Sequence, residues 1–152
     1  MGILENCKDV KSSVAYLQDE INKHPYENII FIGMSAGGYA SILFGSLLNI
    51  HNIIAFIPPT LLHSKNSRLN PEYKDILPFV IQNCLKSNKT HYWLYGSSSI
   101  RSIHDCHHIS QCERLVNDQT REQIHICVKE HLNVKKLRDN GELLQIIEKC
   151  LM

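Results

Sequence analysis

Long apolar runs, paired cysteines and blocks of one charge are all scarce in these 152 residues, and each scarcity removes a class of protein. The longest apolar stretches, Ile29 to Ile32 and Ile53 to Pro59, fall far short of the roughly 20 residues that cross a bilayer. The first 25 residues are amphipathic and polar, so neither a membrane span nor a signal peptide is expected. The six cysteines (Cys7, Cys84, Cys106, Cys112, Cys127, Cys150) form no C-x-x-C pair, in a chain large enough to fold without staples. Reduced thiols and a cytoplasmic setting are the simplest expectation. Sixteen basic against fifteen acidic residues leave a formal charge of +1 with no basic run, which argues against nucleic-acid binding by bulk electrostatics. Five prolines and seven glycines, with 43% hydrophobic and 20% charged residues, exclude collagen-like and low-complexity sequence. No P-loop and no dinucleotide fingerprint is present. What remains fits a single domain over residues 1–152 with one hydrophobic core.

Periodicity supplies the organisation. Val10, Val14, Leu17 and Ile21 recur at helical spacing up to His24-Pro25. Asn28 to Gly33 reads as a strand buried on both faces, Ala36 to Leu48 as a helix of small and aliphatic residues, and Asn52 to Ile57 as a second buried strand closed by Pro58-Pro59. Residues 58–89 form an excursion, with a helix starting at Asn70-Pro71 and kinked or ended near Pro78. His91 to Gly96 is a third strand, Asp105 to Asn117 a helix, Gln123 to Val128 a fourth strand, and Leu132 to Leu151 a helical tail interrupted at Asn140-Gly141. Alternating strands and helices imply βαβ units, hence an α/β fold: a small, mostly parallel sheet of about four strands with flanking helices.

The chemistry concentrates in Gly33-Met34-Ser35-Ala36-Gly37-Gly38, a G-x-S-x-G spacing placed between a strand and a helix. A serine on such a sharp turn is exposed at the carboxyl edge of the sheet, where small flanking residues let strand and helix approach. The N–H of Ala36 would then face a developing oxyanion. Serine becomes nucleophilic only when a base takes its proton and a third group orients that base. Of nine histidines, His131 follows the fourth strand and so lies in a loop at the same edge, whereas His24, His51 and His91 sit near strand starts and His125 lies within a strand. Asp105 is the first carboxylate after the third strand, a residue that also suits a helix N-cap.

Gly33 to Gly38 with its flanking strands, Tyr95-Gly96 with Asp105, and Lys129-Glu130-His131 together resemble the α/β-hydrolase superfamily, from its nucleophile elbow onward. The resemblance implies Ser35 as nucleophile, His131 as general base and acid, Asp105 as the orienting carboxylate, and Ala36 N–H as an oxyanion-hole donor. It also implies a truncated sheet, in which the elbow strand is left with one unpaired edge. The loop that carries the family's second oxyanion donor has no counterpart upstream of Asn28; Ser97, Ser98, Ser99 and Tyr39 are the side chains available to replace it. Asp105 stands farther beyond Gly96 than the family's acid usually does, and Ser99 occupies the usual place.

A second cluster, His104, Cys106, His107, His108 and Cys112, would put His108 and Cys112 on one helical face, but no second ligand pair accompanies them, so no metal and no cofactor is expected. His107 or His108 facing the cleft is the other reading of that cluster. Leu61, Leu62, Ile76, Leu77, Phe79 and Val80 would make residues 58–89 an apolar lid or simply a cover for the sheet. The expectation is a serine esterase acting on a small-molecule acyl substrate. The alternative is a non-catalytic half-hydrolase module, and in either case a homodimer joined at the exposed sheet edge.

Overall fold

An Asp9 carboxylate accepting from Ser12 N–H at 2.7 Å, with Ser12 Oγ accepting from Asp9 N–H at 3.1 Å, starts helix α1 (Val10–Asn22) by a capping box. The computed structural model describes residues 9–62, 75–85, 89–99 and 105–152. After α1 come β1 (Ile30–Met34), α2 (Ala36–Leu47), β2 (Asn52–Phe56), α3 (Leu77–Leu85), β3 (His91–Ser97), α4 (Ser110–Glu113), β4 (Ile124–Lys129), α5 (Val134–Asp139) and α6 (Glu142–Leu151). The strands form one sheet in the order β1-β2-β3-β4, every pair parallel, with Ile32 opposite Ile54 and Ile54 opposite Trp93. This is the α/β architecture expected from the sequence.

Two apolar layers sandwich the sheet, and strand alternation assigns residues between them. Ile53 and Ala55 of β2 face Ile42 and Leu43 of α2 and Leu77, Val80 and Ile81 of α3. Ile54 and Phe56 face the other way, against Leu137 of α5, Cys150 of α6 and Tyr95. Every residue of β2 is therefore buried. Full burial of each such Ile or Phe contributes about 2 kcal/mol, which makes β2 the axis of the core. The stripe of α1 lies against the first layer with no residue fully buried. Asn52 ties β2 to β3 and α6 within the second layer: its Nδ2 donates to Cys150 O at 2.7 Å, and Trp93 Nε1 donates to its Oδ1 at 3.3 Å.

Three expectations need correction. Strand β1 is not buried on both faces; Ile32 and Met34 are 44% and 52% exposed. They share a face with Ile30, and the α5 and α6 layer reaches only Ile30. The helix expected over Asp105 to Asn117 is reduced to the four residues of α4, because Ile109 N–H donates to Ser97 O at 3.0 Å and draws the preceding segment onto β3. Pro78 lies in the first turn of α3, where its missing N–H costs no helical bond, so it opens a helix instead of ending one. Helix α3 covers the sheet through Leu77, Val80 and Ile81, leaving Phe79 exposed; the Asn70-Pro71 start lies outside the described residues. No disulfide joins the five cysteines among the described residues. No helix among them is long and apolar enough to cross a membrane.

Asn52→Ala leaves the Cys150 carbonyl and the Trp93 indole N–H without their buried partner. Urea denaturation is expected to show a loss of about 2 kcal/mol.

Candidate active site

The turn from β1 into α2 carries the main backbone strain of the sheet's carboxyl edge. Ser35 adopts φ 52 and ψ −120, a conformation L-residues rarely hold. Its N–H donates to Phe56 O at 2.9 Å and its carbonyl accepts from Tyr39 N–H at 3.0 Å, so the turn is tied both to β2 and to α2. Close approach of strand and helix requires glycine at position 33: a Cβ there would meet Gly37 O at 2.1 Å and Ser41 Oγ at 2.6 Å. Gly37 itself has open space on its Cβ side, so the steric demand for small residues falls on Gly33. Ala36 begins α2, and its N–H is one of the four that have no acceptor within the helix.

Ser35 Oγ lies 2.8 Å from Nε2 of His107. This contact is the product of three local features. Gly96 in β3 leaves room for Ile109, whose Cα would stand 2.7 Å from a Cβ at that position. Ser97 and His108 form a parallel bridge, which lays the segment before α4 along the end of β3. Asp105 Oδ1 then accepts from His107 N–H at 2.8 Å and sets the turn that turns the imidazole toward β1. The same oxygen is 3.9 Å from His107 Nδ1, too long for a hydrogen bond but close enough for its charge to favour a proton on Nδ1 and a lone pair on Nε2. With that tautomer, Nε2 accepts the Ser35 hydroxyl proton.

Ser35 thus meets the imidazole of His107, with Asp105 Oδ1 3.9 Å from the other ring nitrogen. His131 stands elsewhere on the edge, its Nδ1 2.7 Å from Ser99 Oγ. Position after a strand favours His131, and the helical pattern of residues 105–117 conceals the turn that Asp105 makes with His107. His108 caps locally, accepting Ser110 N–H on Nδ1 at 3.1 Å. Ser97 Oγ donates to Glu130 O at 3.0 Å and is committed there.

Asp105, Cys106 and His107 also form a group whose potential metal-ligand atoms lie within 4.8 Å of one another. Burial, reinforced by the Asp105 charge, pushes the Cys106 thiol up, so it stays protonated and is a poor ligand and nucleophile at neutral pH. Cys112, the other cysteine of the cluster, is fully buried with its thiol pushed up to about 12.

No protein-family model matches this chain, and no curated protein matches it significantly. Among solved structures it is similar to an esterase of Pyrococcus furiosus, with a TM-score of 0.60 and 19% identity over 94% of this chain. The chain spans 59% of the length of that esterase. At this identity the likeness is one of fold.

Gly96→Ala is expected to push the Ile109 segment off β3 and break the Ser35 to His107 hydrogen bond. Changed ring-nitrogen shifts of His107 by NMR, with unaltered far-UV circular dichroism, would report it.

Proposed function

We propose that this chain is a serine hydrolase cleaving an ester or related acyl bond of a small molecule, with Ser35 as nucleophile. The observation that carries this reading is the 2.8 Å contact between Ser35 Oγ and His107 Nε2 at a strained strand-to-helix turn. His107 takes the Ser35 proton as Oγ attacks the acyl carbonyl, and returns it to the leaving oxygen as the tetrahedral intermediate collapses. Asp105 lies beside the imidazolium that forms and opposes its charge. Ala36 N–H faces the developing oxyanion. Water, deprotonated by the same imidazole, then releases the acid and regenerates Ser35. Cysteines joined by no disulfide suit a reducing, cytoplasm-like compartment.

His131 with Ser99 is the alternative imidazole for the base, and labelling kinetics separate the two. A fluorophosphonate probe is expected to modify Ser35 alone. His107→Ala should slow that reaction about 100-fold or more, with His131→Ala near the native rate. Modification at Ser97 to Ser99, or none anywhere, would sink the hydrolase reading.

A second reading, a non-catalytic half-hydrolase module, is favoured by β1, whose outer edge has no partner strand among the described residues. That strand carries exposed Ile32 and Met34 and no charge, a template for another strand. Pairing two copies of β1 about a two-fold axis would give a homodimer with one continuous sheet. Sedimentation at micromolar concentration is expected to show a dimer that Ile32→Lys converts to monomer; a native monomer would count against edge pairing.

A further inference from the structure

Two exposed apolar stretches from different elements meet on one side of the sheet. Ile30, Ile32 and Met34 of β1 point to the face covered by α5 and α6, where Ile32 and Met34 stay exposed. Helix α6 packs on that face through Cys150, yet leaves Leu144 60% and Leu151 46% exposed. At about 3.6 residues per turn, Glu142 and Lys149 fall on one flank of α6 and Leu144 and Leu151 on the other, with Leu143, Ile147 and Cys150 between them. Contacts place the first flank. Lys129 Nζ of β4 donates to Glu142 Oε2 at 3.4 Å, and the Lys149 ammonium stands 5.6 Å from the Trp93 ring of β3. In the sheet order β1-β2-β3-β4, the flank with both leucines therefore leans toward β1.

The exposed parts of Ile32, Met34, Leu144 and Leu151 amount to about 400 Å² of apolar surface, the size that marks an interaction site. A two-fold interface needs a patch that matches itself when turned about its own centre. On α6 that centre lies between Ile147 and Glu148, so two antiparallel α6 helices set Leu144 of each against Leu151 of the other. On β1 it lies at Ile32, and antiparallel pairing there sets Ile32 against its copy and Met34 against Ile30. The two centres stand at one level. Helix α6 runs from Lys129, at the carboxyl edge, to Asn52, at the amino edge, and Asn52 pairs with Ile30. Two to three residues back from Cys150, at about 1.5 Å each, α6 has risen about 4 Å, one strand residue, to the level of Phe31 and Ile32. One axis through Ile32, normal to the sheet, thus serves strand and helix together. It puts the β2 strands of two copies three strand spacings apart, about 14 Å, a gap that leucines reaching from both α6 helices close.

We infer that this surface seats a second copy of the chain through a helical seam, Leu144 of one α6 against Leu151 of the other, above antiparallel β1 strands. The inference rests on the edge-pairing reading above and adds to it a second element, the register and the residues that close the face. These side chains from two copies bury about 800 Å², and the β1 backbones and helix flanks bring the contact toward the roughly 1,200 Å² at which specific interfaces begin. Glu148 lies near the axis but is exposed at the outer rim, where solvent and salt screen it from its copy.

Sedimentation equilibrium of the full chain at micromolar concentration reads the seam. Leu144→Glu and Leu151→Lys, both at exposed positions, are expected to keep the native far-UV circular dichroism and each to weaken dimerisation about tenfold or more. An equal mixture of the two is expected to regain the dimer, because the register sets the new carboxylate of one chain against the new ammonium of the other and leaves a native leucine pair at the far end. A mixture of Leu144→Glu with Leu144→Lys should not recover. A native monomer overturns the seam and edge pairing alike. A dimer that Ile32→Lys breaks but Leu144→Glu and Leu151→Lys leave intact overturns the seam and keeps edge pairing. Failure of the first mixture to recover, or recovery of the second, overturns the register. Fluorophosphonate labelling of Ser35 in the same samples shows separately whether the hydrolase reading fails.

Discussion

The strained turn at Ser35 is the constraint on which the rest of the carboxyl edge depends. A backbone at φ 52 costs on the order of 1 to 3 kcal/mol and persists only where its surroundings overdetermine it. Here α2 is pressed onto β1 at Gly33 and locked by Ile42 and Leu43 in the core, while Phe56 O holds the Ser35 N–H from the neighbouring strand. Loosening either contact would let the turn relax to an ordinary conformation and withdraw the hydroxyl from the edge.

The strain continues along that edge. Ile57, immediately after β2, has φ 43, unusual for a β-branched residue, and its N–H donates to Tyr95 O at 2.6 Å. The bond to Phe56 O links the end of β1 to β2, this one links β2 to β3, and the packing of Ile109 on Gly96 links β3 to the segment bearing Asp105 and His107. The Ser35 to His107 contact is thus set by three successive strand ends in one rigid sheet. Asp105 serves this geometry first through the backbone of His107 and only at longer range through its ring.

The two ends of the sheet have opposite chemistry. At the carboxyl end, a serine and an imidazole meet in a part-buried contact. At the amino end, imidazoles are stacked between an indole and one another beside Lys149, and desolvation keeps them neutral. The centre and the margins of the sheet differ as well: β2 is enclosed, whereas the lateral strands β1 and β4 expose Ile32, Met34 and Val128. The wholly buried β2 explains how the four described strands hold together with partly exposed margins, since most of the apolar burial lies at the centre of the sheet.

Local chemistry alone determined the parallel sheet, its four strands, helices α1 and α2, the break in the helical tail and the sharp turn at Ser35. Those features follow from hydrophobic period, from glycine and proline punctuation, and from a motif confined to six residues, all of which act over a turn or two of chain. The tail illustrates it, since Gly141 at φ 82 divides α5 from α6 where the Asn140-Gly141 pair predicts a break. Which histidine faces Ser35 was decided by tertiary structure. His107 and His131 are both near the ends of adjacent strands, and their order in the chain favours His131. Only the packing of Ile109 against a bare glycine backbone turned the segment after β3 out of helix and brought His107 to the serine, while Ser99 held His131 away. The exposure of Ile32 and Met34 was settled the same way: a run of four apolar residues reads identically in a central and an edge strand, and the reach of the helices across the sheet makes the difference.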